Sequence, residues 1–194
     1  YRLPSLGAVV AEVLEQVGGG GPVHLLGHSF GGLVCRETAL TGTASLASLT
    51  LMCSGPGALS GPGAGTAGNL IAAVSVNPTA ERLRQLWEEQ FHTVARSRTD
   101  RPEIHDFLRR RLLSSSAVGL MHMAEELVSA PDRVDELARV DVPTLVLYGE
   151  NDDAWSPREQ DRMAERLGAR RLVVPSAGHS PNVEAPETTA SALT

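Results

Sequence analysis

The stretch Val23–His24–Leu25–Leu26–Gly27–His28–Ser29–Phe30–Gly31–Gly32 decides how the rest of the chain is read. A short apolar run passes into Gly-x-Ser-x-Gly, and residues that suit a helix follow from Ser29 to about Leu40. A serine between a buried parallel strand and a helix sits on a sharp turn. Side chains flanking it would crowd, so glycines at 27 and 31 are expected to relieve that crowding. The Ser29 hydroxyl then projects from the strand end beside a helix N-terminus, where the dipole favours negative charge. The Phe30 N–H is a natural donor to an oxyanion formed there.

A serine hydroxyl is a weak nucleophile until a base takes its proton. The base should be a histidine on a loop after a strand, oriented by a carboxylate that follows another strand. Gly149–Glu150–Asn151–Asp152 follows the apolar run Pro143–Tyr148, and Ala177–Gly178–His179 follows Arg171–Pro175. Asp152 and Asp153 compete for the acid role. Adjacent residues in a turn point in different directions, so Asp152 is favoured by its place in Gly-x-x-Asp and Asp153 is read as capping the next turn. Asp135 and Asp141 read as surface charges.

The remaining elements fit a parallel α/β sheet interrupted by helices. Residues 5–17 read as an amphipathic helix with Ser5 as N-cap and Leu6, Val9, Val10, Val13, Leu14 and Val17 as its apolar stripe. Leu46–Cys53 reads as a second strand and the Gly/Pro/Ser-rich 54–68 as a mobile loop. Residues 78–139 look wholly helical, with stripes Leu83/Leu86/Trp87/Phe91, Ile104/Phe107/Leu108/Leu112 and Leu120/Met123/Ala124/Leu127. Ser156–Pro157 opens a helix that ends at Gly168, and Glu187–Thr194 begins a last one.

Composition narrows the chemistry. The chain has 194 residues, 42% of them hydrophobic and 21% charged, which suits one globular domain. All 17 basic residues are arginine. The absence of lysine excludes a Schiff-base lysine, a pyridoxal anchor and a Walker-type phosphate lysine. A formal net charge of −6 argues against nucleic acid as the main partner. Apolar runs stay well short of the roughly 18 residues a membrane span needs. Cys35 and Cys53 read as buried free thiols, which gives a cytoplasmic expectation; the start at Tyr1, without Met, leaves secretion open. Zinc-type Cys/His spacing and HExxH are absent, and His92, His105 and His122 are too far apart to predict a metal site.

The segments VHLLGHSFGG at 23–32, PTLVLYGENDD at 143–153 and PSAGHSPNVEAPE at 175–187 together resemble the α/β-hydrolase superfamily, and the order Ser, Asp, His is that of its triad. The resemblance spans nearly all of the chain. It implies Ser29 as nucleophile, Asp152 as acid and His179 as base, with no metal or organic cofactor. It implies a helical cap insertion over 62–138 within a domain covering 1–194. The match is nearest to esterases, small lipases, C–C bond hydrolases and cofactor-free haloperoxidases. The missing lysine and two isoleucines suggest a GC-rich bacterial genome.

A complete fold of this type has about eight strands, and only the last four are legible here. The resemblance therefore implies that the preceding strands are missing, with the loop bearing the second oxyanion N–H. The expectation is an exposed apolar edge on the nucleophile strand and little esterase activity in the isolated chain. The substrate is expected to be a small, mostly apolar ester. Two alternatives stand beside this. One is a hydrolase-fold binding module without turnover. The other is perhydrolysis at the same triad. Trp87, Phe91, Met121 and Met123 either line a pocket or pack the cap, and Trp155 could wall the pocket. His28 reads as a packing neighbour, Glu184 as a cap of the last helix, and Arg109–Arg111 as a solvated face.

Overall fold

The computed structural model describes residues 2–93, 96 and 101–193. In chain order the elements are α1 (Leu3–Val17), β1 (Val23–His28), α2 (Phe30–Leu40), β2 (Leu46–Met52), α3 (Gly61–Ser75) and α4 (Ala80–Leu86), which runs on into a π-helical turn at Trp87–Phe91. There follow α5 (Pro102–Ser114), α6 (Ala117–Ser129), α7 (Val134–Leu137), β3 (Thr144–Gly149), α8 (Pro157–Leu167), β4 (Arg170–Val174), α9 (Pro181–Glu184) and α10 (Pro186–Leu193). The four strands form one parallel sheet in the order β1-β2-β3-β4. Parallel neighbours need crossover connections. They are α2, the long helical insertion, and α8. All three chemistry-bearing turns thus fall at the carboxyl end of the sheet, where open α/β sheets build their sites.

The main core lies on β2–β4. Leu49, Leu51, Val146, Leu147 and Val174 pack with Cys35 and Ala39 of α2 and Met163 and Ala164 of α8. Ser156 and Glu159 close a capping box at the start of α8, and Gly168 ends it in the left-handed region at φ 60°. Both ends therefore follow the local chemistry expected.

The first helix departs from its expected start and face. It begins at Leu3, so Ser5 lies inside it and is not the cap. A distant carboxylate does that work: Glu126 on α6 accepts the Leu3 N–H at 2.9 Å and pairs with Arg2 at 3.0 Å. The buried face is Leu3, Gly7 and Ala11. Gly7 is pressed so closely on α2 that a methyl group there would lie 2.6 Å from Glu37 Cβ. Small residues make that approach possible, and it turns Val9, Val13 and Val17 outward, at 55%, 47% and 71% exposure.

The Gly/Pro-rich segment is a loop only over 54–60; from Gly61 it is helical. Tertiary packing overrides poor local propensity here. Val74 of α3 is buried with Leu83 and Leu86 of α4 and Ala117 of α6, and Leu70, Phe91, Leu113, Leu120 and Met121 pack around them. The insertion thus has an apolar cluster of its own. Its helices are interrupted at 115–116 and 130–133, contrary to the unbroken helix expected over 78–139; residues 94, 95 and 97–100 of that stretch, and Thr194 of the expected last helix, lie outside the described residues. Helix α5 has no buried residue and Phe107 is 52% exposed, so the Ile104/Phe107/Leu108/Leu112 stripe is only a partial contact. Val134 and Leu137 of α7 already belong to the main core, so the chain returns to the sheet layer before 138. Among the described residues, no helix is long and apolar enough to cross a membrane.

Candidate active site

Ser29 follows directly on β1, with φ 56° and ψ −123°, a conformation L-residues rarely adopt. Surrounding structure enforces it. The Ser29 N–H donates to Met52 O at 2.9 Å, and Gly32 N–H donates to Ser29 O at 2.9 Å. A methyl group on Gly27 would collide with the Gly31 carbonyl and lie 2.7 Å from Cys35 Sγ. On Gly32 it would collide with the Ser54 side chain, whereas on Gly31 it would meet nothing within 4 Å. The crowding is therefore relieved at 27 and 32, not at 27 and 31. Phe30 opens α2, so its N–H is one of the first-turn amides that lack an acceptor within the helix.

Three separated side chains form one row. His179 Nε2 lies 2.8 Å from Ser29 Oγ, and His179 Nδ1 lies 2.9 Å from Asp152 Oδ1. A carboxylate only accepts, so Nδ1 carries the proton and Nε2 is left as the acceptor facing the hydroxyl. Asp152 is buried, and burial pushes its carboxyl up. Hydrogen bonds from His179, the Ala154 N–H and Gln160, with the His179 charge, outweigh this and hold it below the ordinary range. Asp153 is exposed.

The acid and histidine turns are pressed together. A Cβ on Gly149 would overlap the carbonyls of Ala177 and Gly178, and the Asn151 N–H donates to Ala177 O at 2.8 Å. Glu184 then grips the backbone on both sides of His179. Its carboxylate accepts from the Gly178 N–H and, at 2.9 Å, from the Ser180 N–H. Its role thus goes beyond capping a helix. The signal was its spacing, one short helix beyond the histidine.

His28 is also part of the site. Its Nε2 lies 2.7 Å from His179 O, and the two rings are 5.1 Å apart. Burial lowers its basicity, partly offset by the bond to His179 O; nearby charges, including that of Arg111 on α5, also act on it. Arg109, Arg110 and Arg111 are themselves exposed. Cys53, fully buried at φ 49°, lies beneath: its ligand atom and those of His28 and His179 are within 4.8 Å of one another. Both nitrogens of His179 are already engaged, so a cation there would have to displace Ser29 or Asp152. Burial, with the nearby Asp152 charge, pushes the Cys53 thiol up, and burial pushes Cys35 up to about 11, so neither is a ready nucleophile.

The expected pocket residues separate. Trp155 is fully buried among Leu3, Leu33 and Ala130, and its indole N–H donates to Gly57 O and Ala58 O at 3.2 and 3.3 Å. It is a core residue behind the site, with its ring 6.4 Å from that of His179, and has no surface to offer a substrate. Trp87 is buried and edges an open groove of about 340 Å³ with His92, His105 and Arg109. Phe91 packs on the insertion's apolar cluster, and Met123 is half-buried on α6.

Comparison with known proteins bears on the family and the fold. The family model described as alpha/beta hydrolase family matches residues 1–192. The chain is 29% identical over 174 residues to a pimeloyl-[acyl-carrier protein] methyl ester esterase of Neisseria meningitidis serogroup B, covering 82% of this chain and 63% of that protein. It is 29% identical over 177 residues to a 2-succinyl-6-hydroxy-2,4-cyclohexadiene-1-carboxylate synthase of an Enterobacter species, covering 87% and 64%. The chain therefore spans somewhat under two thirds of the length of these curated relatives. A hydrolase from Pseudomonas aeruginosa superposes with a TM-score of 0.76 at 28% identity, over 100% of this chain and 71% of that one. With a match over almost its whole length and the same fold in three dimensions, the chain belongs to the alpha/beta hydrolase family.

Proposed function

We propose that the chain carries the catalytic triad of a serine hydrolase that cleaves small, mostly apolar acyl esters through an acyl-enzyme. The observation that carries this is the continuous row Ser29 Oγ, His179 and Asp152, with contacts of 2.8 and 2.9 Å. His179 Nε2 takes the hydroxyl proton as Ser29 Oγ attacks the carbonyl carbon. Asp152 holds the Nδ1–H tautomer and stabilises the imidazolium. The Phe30 N–H donates to the oxyanion. His179 then returns its proton to the leaving alcohol, and water activated by the same imidazole releases the acid. The esterase names among the relatives support an ester substrate.

Single oxyanion donors typically contribute about 10²–10³ in rate. With the Phe30 N–H as the one donor assigned within the described residues, we expect slow turnover. The test is labelling of the purified chain by a fluorophosphonate probe, beside hydrolysis of p-nitrophenyl acetate. Covalent labelling confined to Ser29 and abolished in Ser29→Ala is the expected result. No labelling, or labelling that persists in Ser29→Ala, would overturn the proposal.

A further inference from the structure

Gln160 lies on α8 with no exposed surface, a polar side chain sealed behind the acid turn. Its Nε2 donates to Asp152 Oδ2 and to the Trp155 carbonyl, both at 2.9 Å. Both neighbours only accept, so the amide can turn only its NH₂ end towards them. Its own Oε1 has no partner among the described residues. Methionine would fill the same space without stranding a carbonyl, so the amide is an expensive way merely to pack α8. What it supplies is a pair of donors aimed at one carboxylate and its turn.

The two oxygens of Asp152 are thereby divided. Oδ1 faces His179 Nδ1 at 2.9 Å and accepts the Ala154 N–H at 3.0 Å, while Oδ2 is held by Gln160. Rotation of the carboxylate would break the Gln160 bond, so this bond fixes the plane in which Oδ1 meets the imidazole. The donor is also neutral. An arginine or lysine at this place would cancel the charge that His179 needs beside it. An amide shares that charge and leaves it in place.

We propose that Gln160 is a positioning residue of the triad, locking the Asp152 carboxylate on His179 and setting how readily His179 takes the Ser29 proton. The inference rests on the serine-hydrolase reading of the site, and its test separates the two.

The variants are Gln160→Met and Gln160→Glu. The low-field proton resonance of the His179–Asp152 hydrogen bond is followed against pH without substrate, and fluorophosphonate labelling is timed over the same range. In Gln160→Met the carboxylate keeps more of its charge to itself, so the His179 titration midpoint moves to higher pH. Labelling slows roughly tenfold to a hundredfold, the weight of one hydrogen bond to a charged group. In Gln160→Glu a carboxyl sealed 2.9 Å from Asp152 takes up a proton and still donates to Oδ2, so the midpoint stays near that of the wild type. A purely structural role would lower the melting temperature and leave the midpoint where it was. An unchanged midpoint and labelling rate in folded Gln160→Met would overturn the proposal. Should Gln160→Met fail to fold, Gln160→Asn, which keeps the amide but is one methylene too short to hold Oδ2, decides on the same midpoint. A wild-type chain inert to the probe would remove the hydrolase reading, and the resonance would still decide the part played by Gln160.

Discussion

His28 Nε2–H donates to the backbone carbonyl of His179 at 2.7 Å, joining the residue before Ser29 to the histidine loop across 151 positions of chain. A carbonyl can only accept, so this bond fixes the His28 tautomer with its proton on Nε2. His28→Phe keeps a ring against His179 and removes the donor. Labelling of Ser29 should slow about tenfold, the value of one hydrogen bond. Because burial lowers the His28 pKa from 6.5, folding favours its neutral form. Its contribution to stability is thus present above about pH 6.5 and lost as pH falls through the window below. The melting temperature of the wild type should therefore drop more between pH 7 and pH 5 than that of His28→Phe. Parallel pH curves for the two proteins would contradict this.

The glycines of the elbow should respond very differently to the same change. Gly27→Ala puts a methyl group into the Gly31 carbonyl. Overpacking against backbone cannot relax by rotamer, so a loss of at least about 3 kcal/mol is expected. Gly31→Ala meets open space at the start of α2 and should change stability by less than about 1 kcal/mol. Urea midpoints of the two variants give the comparison, and equal losses would show the elbow packing to be misassigned.

Glu184→Ala removes the acceptor of two amides that bracket His179. Hydrogen bonds to a charged group are worth about 1.5–3 kcal/mol each, less where water can replace the partner. We expect about 2 kcal/mol of lost stability and Ser29 labelling slowed at least about tenfold, because the histidine turn loosens. Amide exchange at Gly178 and Ser180 is the direct measurement. Protection unchanged from wild type would refute the bracket.

Arg36 ties the loop after β2 to the return from the insertion. It is 2% exposed, donates to Pro56 O at 2.7 Å and Pro131 O at 3.1 Å, and pairs with Glu37 at 3.0 Å. Arg36→Met strands two carbonyls and leaves Glu37 to Arg133 alone. A loss of about 3 kcal/mol should follow, read as a lower urea midpoint at constant slope. A loss below about 0.5 kcal/mol would mean that the clamp carries no weight.

The sheet and the row of three side chains could be read from the chain because their signals are local. Apolar runs end in glycine, and Ser29, Asp152 and His179 each follow such a run within a few residues. The cap of α1 could not be read, because its acceptor, Glu126, lies 123 residues away. Helix α3 was hidden because glycine-rich sequence reads as loop until Leu70, Ala73 and Val74 find partners in α4 and α6. Gln160 did leave a trace. It lies on the same face of α8 as Met163 and Ala164, so a polar residue was aimed at the core from the outset. Trp155 misled because it adjoins the acid turn in sequence while its side chain turns back into the cluster beneath Gly55.

That sealed indole has a use in measurement. Its ring stands 6.4 Å from the imidazole of His179, shut off from solvent. An imidazolium at such range quenches tryptophan emission, whereas a neutral ring does so weakly. The fluorescence of residue 155, isolated by replacing Trp87 with phenylalanine, should dim as His179 gains its proton. The fold thereby carries an optical gauge of the charge on residue 179, readable without substrate or label.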